Sequence, residues 1–147
     1  MKISEIMSVN SVMLSLKAGS KRQLLQELAR KASELTGINE RTVFDTILER
    51  ENLGSTGFGG GTALPHGRLS ELNKVCGIFA RLSTAIDFDA VDNKPVDTVF
   101  LLLSPESSGA DHLTALAQIS RILKDENTCT KLRAAKSNEE VYALLNN

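Results

Sequence analysis

Cysteine is nearly absent from this chain. Cys76 and Cys129 are its only two, too few and too far apart for a disulfide framework or a zinc site. They read as reduced, buried thiols of a cytosolic protein. An excess of one charge is also missing: Lys and Arg number 17, Asp and Glu 18, and the net charge is −1. No basic surplus therefore points to nucleic acid or anionic lipid. No apolar run approaches the roughly 20 residues of a membrane span. The opening Met1-Lys2-Ile3-Ser4-Glu5-Ile6 lacks the apolar stretch of a secretory signal. Repeats, low-complexity tracts and Pro/Ser-rich linkers are absent. What remains is ordinary: 147 residues, 41% hydrophobic and 24% charged. That suits a single folded domain spanning 1–147, of a size that buries roughly 68–70% of its unfolded surface.

Local signals then divide the chain. Val12 to Leu16 reads as a strand stopped by Gly19. Ser20 with Gln23 forms a capping-box pattern. Leu24, Leu25, Leu28, Ala32 and Leu35 follow at helical spacing, and Gly37 ends that helix. Asn39 caps a second helix with the stripe Val43, Phe44, Ile47 and Leu48, whose end, Glu49-Arg50-Glu51, reads as solvated. Val75 to Leu82 reads as a strand, and Ile86, Phe88 and Ala90 alternate with Asp87 and Asp89. Val96 to Leu103 ends in the continuous apolar run of a central strand. Asp111 is the expected cap of a helix carrying Leu113, Leu116, Ala117, Ser120 and Leu123. Asn127 is the expected cap of a short helix. Ser137 with Glu140 opens a last one through Val141, Leu144 and Leu145. The expected fold is α/β, with helices on both faces of one mixed parallel and antiparallel sheet, because strands between 62 and 103 follow one another without long helices.

Glycine concentrates between Gly54 and Gly67. The segment is not a Walker loop, since no Gly-Lys-Ser/Thr follows, nor a dinucleotide fingerprint, since a helix precedes it and the spacing fails. Both histidines of the chain bear on it. His66 sits between Pro65 and Gly67, one rigid and one without bulk, an arrangement that presents an imidazole at an open edge. His112 falls in the first turn of the helix after Asp111, where free N–H groups suit an anion. A metal reading of the two histidines lacks short ligand spacing, and no cofactor is implied.

Leu48-Glu49-Arg50-Glu51, Gly54 through Gly59, and Ala63-Leu64-Pro65-His66-Gly67, followed by Asp111-His112-Leu113-Thr114-Ala115-Leu116-Ala117, resemble the signature of the enzyme IIA domains of the fructose/mannitol class of the phosphotransferase system. The segment Phe88 to Asp97 is most similar to the nitrogen-regulatory branch. The resemblance spans essentially the whole chain. It implies that His66 accepts a phosphoryl group from an HPr-like phosphohistidine carrier, that His112 is the second site histidine, and that Arg50 lies near the acceptor. Ser55 and Thr56 stand in the matching glycine-rich motif. Gly57-Phe58-Gly59-Gly60-Gly61 corresponds to a loop in which the position of Gly60 is often Asn. It further implies regulatory targets, transporters or sensor kinases linked to nitrogen or potassium, or a IIB protein, with no nucleic acid and no membrane insertion. The expected setting is cytoplasmic and free-standing. The family favours the Nε2 (tele) nitrogen of His66, a choice the residues themselves leave open.

Chemistry supports such a role. Neutral imidazole, with an ordinary pKa of about 6.5, is a competent nucleophile toward phosphorus at neutral pH. The remaining task is positioning and neutralising the equatorial oxygens. The backbone N–H groups of Gly59, Gly60 and Gly61, His112 with its helix N-terminus, and the forked guanidinium of Arg50 are the candidate donors. A sugar-specific IIA and a non-catalytic binding module, in which His66 only contacts a ligand, are the competing readings.

Overall fold

The computed structural model describes residues 2–146. Two short 3-10 turns, Ile3–Glu5 and Val9–Ser11, lead into β1 (Val12–Leu16). Two helices follow, α1 (Lys21–Thr36) and α2 (Glu40–Leu53). Four strands come next, β2 (Gly57–Gly59), β3 (Thr62–Ala63), β4 (His66–Leu69) and β5 (Cys76–Ile86). The long strand β6 (Val96–Pro105) precedes α3 (Ala110–Lys124), α4 (Glu126–Ala134) and α5 (Asn138–Leu145).

The caps lie largely where local chemistry places them. Ser20 accepts from the Gln23 amide, while the Gln23 side chain reaches one residue past the box, to the Gly19 N–H at 2.7 Å. Asn39 accepts from the Arg41 and Thr42 amides, and Ser137 accepts from Glu140. Gly37 ends α1 at φ 78°, the left-handed conformation that costs glycine nothing. Two expected caps shift. Asp125, not Asn127, caps α4 through the Thr128 amide. The N-cap of α3 is Gly109, at φ 41°, and Asp111 stands inside the first turn.

The sheet has six strands in the order β1-β5-β6-β3-β2, with β4 also paired to β6. β1 lies parallel to β5, β5 antiparallel to β6, and both β3 and β4 parallel to β6. The mixed sheet is as expected. β3 and β4 share one edge of β6 end to end: Thr62 pairs Thr98, and His66 pairs Leu102. Side chains on β6 alternate between two cores. Val99, Leu101 and Leu103 face α1 and α2; Phe100 and Leu102 face the side of α3 and α5. Helices thus cover both faces.

Three expectations fail on burial. Leu35 is exposed rather than packed, and Ala29 joins Leu24, Leu25, Leu28 and Ala32 on the buried stripe. α3 buries His112, Ala115, Ile119 and Leu123, so Leu113 is 63% exposed; packing against Phe100 and Leu102 of β6 selects that face of the helix. Glu51 is buried, not solvated. Phe88 and Ala90 are buried as well, but β5 stops at Ile86 and they lie in the irregular segment after it, with Asp89 at φ 57°.

Candidate functional site

Strand register decides which residues meet. Directly paired residues of neighbouring strands point to the same face. His66, opposite Leu102, and Arg68, opposite Ser104, therefore project toward α3. Gly67 faces the other way, toward α2. A Cβ there would lie 2.8 Å from Thr46 Cγ2, so only glycine lets α2 press against β4. Arg50, in the last turn of α2, is thereby brought within electrostatic reach of His66.

His66 is half-buried, and its Nδ1 lies 2.9 Å from the Leu64 carbonyl. A carbonyl oxygen only accepts, so Nδ1 carries the proton and Nε2 keeps its lone pair. The Leu64 amide is itself held by the Thr56 carbonyl at 3.1 Å. Burial, and then the Arg50 charge, hold the His66 pKa below its ordinary value, against the opposing pull of the Leu64 bond and Glu51. The ring is neutral and nucleophilic at pH 7.

The His112 ring centroid is 5.7 Å from that of His66, with the planes tilted by 51°. His112 is buried, and its Nδ1 lies 2.6 Å from Ser104 Oγ. Burial, then Arg68 and His66, push its pKa down to about 4. It stays neutral at pH 7. The first turn of α3 adds the partial positive charge of a helix N-terminus. Arg68 is exposed and lies opposite Ser104, the partner of His112, so its charge is on the same face.

The glycine hairpin behaves differently. Gly59, Gly60 and Gly61 have positive φ and form the β2–β3 turn. The Gly60 amide donates to Asp92 Oδ2 at 3.1 Å, and its carbonyl accepts from Arg133 Nη2 at 2.7 Å. Arg133 also donates to Asp97 at 3.0 Å. The hairpin pairs β6 at Thr98 and His66 pairs it at Leu102, about 13 Å apart along a strand. The structure brings His66 and His112 side by side, holds Arg50, whose Nη1 donates to the Gly54 carbonyl at 2.9 Å, within electrostatic reach of His66, and places Gly59 to Gly61 away from them. Ser55 and Thr56 are engaged locally. Ser55 Oγ donates to the Phe88 carbonyl. The Thr56 amide and hydroxyl donate to Glu51, which also pairs with Lys21 at 2.8 Å. Among the described residues, no cluster of three His, Cys, Asp or Glu side chains could hold a metal ion.

Two residues of this face, Ser104 and Arg68, lie outside the sequence motifs. Arg68 had a signal: it lies two residues from His66 and so on the same strand face. Ser104 is the first polar residue after the apolar run of β6.

Residues 5–147 match the family described as phosphoenolpyruvate-dependent sugar phosphotransferase system, EIIA 2. This chain belongs to the EIIA type-2 family. A nitrogen regulatory protein of Bradyrhizobium diazoefficiens is 52% identical over 145 residues, 99% of this chain and 95% of that protein. The crystal structure of nitrogen regulatory protein IIA-Ntr from Neisseria meningitidis superposes on this EIIA protein with a TM-score of 0.93 and 35% identity, covering 97% of this chain and 98% of the other. IIA mannitol from Escherichia coli shares the EIIA fold, with a TM-score of 0.79 and 20% identity over 94% of this chain and 97% of its own. Among the described residues, no helix of this EIIA protein is long and apolar enough to cross a membrane.

Proposed function

We propose that this EIIA protein is a phosphocarrier whose His66 takes a phosphoryl group on Nε2 from an HPr-like phosphohistidine carrier, and whose phosphorylation state governs binding to regulatory targets. The observation that carries the reading is the Nδ1–H of His66 held by Leu64, which leaves Nε2 as the only nucleophilic atom of a neutral ring. The Nε2 lone pair forms the new N–P bond as the donor's N–P bond breaks, and that electron pair returns to the donor's ring nitrogen. The His66 ring gains positive character, which the Leu64 carbonyl at Nδ1 stabilises. The permanent charge of Arg50 and the donor capacity of His112 offset charge on the equatorial oxygens. Arg68 adds a second guanidinium. The transfer consumes no water and needs no nucleotide.

Phosphorylation places about −1.5 to −2 charges at the His66 edge. A partner that docks an acidic or apolar face there is expelled, and one that offers arginines is favoured. The similarity to nitrogen regulatory proteins supports this use of the switch. Sharing its fold with a mannitol IIA keeps a second reading in play, in which the group passes on to a cysteine of a IIB protein. The deciding experiment is incubation with phosphoenolpyruvate and the purified general components, followed by intact mass and acid treatment. We expect one acid-labile phosphoryl group on wild type and none on His66→Gln. No gain of mass with several donors would leave a binding module. Partner affinities that do not differ between the two forms would remove the regulatory role.

A further inference from the structure

His112 is buried and neutral, so its tautomer decides whether it can donate to an anion or only accept. Ser104 Oγ is fully buried at the end of β6, and among the described residues its one hydrogen-bonded partner is His112 Nδ1. A serine hydroxyl must place its proton on an acceptor or leave a buried donor unsatisfied. The acceptor within reach is Nδ1. If Nδ1 were protonated it would donate to Ser104 Oγ, and the buried hydroxyl proton would be left without an acceptor. With Ser104 donating, the His112 proton sits on Nε2, the one polar atom of the ring left unbonded. Opposite Ser104 in the β4–β6 register is Arg68, so the hydroxyl, both imidazoles and a guanidinium lie on one face.

We propose that Ser104 is a positioning residue: its hydroxyl locks His112 as the Nε2–H tautomer, a fixed hydrogen-bond donor for the phosphoryl group carried by His66. The proposal rests on the phosphocarrier reading. It also accounts for a buried polar side chain standing directly after the apolar run 99–103 of β6.

The test starts with the full unphosphorylated chain and needs no phosphoryl donor. Long-range nitrogen–proton NMR of the imidazoles is expected to show His112 protonated at Nε2, with Nδ1 a bare acceptor. A ring protonated at Nδ1 overturns the proposal. Next, Ser104→Ala, checked for an intact amide spectrum, is expected to accept the phosphoryl group roughly three- to tenfold more slowly, the loss of about one neutral hydrogen bond. In a His112→Gln background the same change is expected to cost nothing further. An unchanged rate in Ser104→Ala overturns the proposal, and so does an equal loss in both backgrounds, which would mark a general structural role. Should Ser104→Ala fail to fold, the wild-type tautomer decides alone. A wild type that takes no phosphoryl group refutes the phosphocarrier reading instead, and the tautomer result is unaffected by it.

Discussion

Acid should unfold this protein in part through His112, and the size of the effect follows from its burial. In the unfolded chain the imidazole titrates at its ordinary 6.5; in the native structure it titrates at about 4. The native state therefore binds fewer protons than the unfolded state between those values, and stability rises with pH across that window. Stability is fully present above 6.5 and is lost as pH falls toward 4. At pH 5 the unfolded imidazole is almost wholly protonated, and the native one is mostly neutral. The loss between pH 7 and pH 5 comes to roughly 2 kcal/mol. Urea unfolding at pH 7, 6 and 5, on wild type and His112→Gln, isolates this contribution, because His66 and the carboxylates are common to both. Wild type should lose roughly 2 kcal/mol more than the variant over that range, with the urea dependence unchanged. Parallel losses in the two proteins would refute a buried, neutral His112.

Gly67→Ala should destabilise the fold by about 1–3 kcal/mol, since the new Cβ meets Thr46 Cγ2 at 2.8 Å; it should also slow phosphorylation by moving Arg50, and chemical denaturation with a transfer assay would check both. Glu51→Gln should cost about 2 kcal/mol in the same unfolding experiment, because a buried carboxylate that serves Lys21 and Thr56 is lost. Arg68→Ala should slow phosphoryl transfer by about tenfold and lift the His112 titration above about 4, both readable by kinetics and NMR. Arg133→Ala should loosen the hairpin, for about 1 kcal/mol, and leave the transfer rate at His66 unchanged. A large fall in that rate would mean the Gly59–Gly61 turn reaches the phosphoryl group after all.

The helices of this protein were legible because their signals are local. Ser20, Asn39 and Ser137 cap where their side chains reach amides two or three residues away, and no distant contact is needed to fix them. The apolar run of β6 announced a central strand for a similar reason: a sequence with no polar face must be covered on both. Periodicity, however, states which residues share a face and not which face is covered. Leu113 and His112 are neighbours on α3, and only the packing of that helix against β6 turned His112 inward and left Leu113 in water. Glu51 looked solvated beside Glu49 and Arg50 until α1 supplied Lys21 and the turn into β2 supplied Thr56. The glycine run resembled an anion cradle, but the register of β3 and β4 along β6 set it about 13 Å from His66. The residue types at the site were determined by the sequence alone: two imidazoles, an arginine near the first, and the Pro-His-Gly frame. Their meeting was decided by tertiary structure. His66, Ser104 and His112 converge because β4 pairs with one end of β6, and strand pairing between residues tens of positions apart depends on the whole sheet.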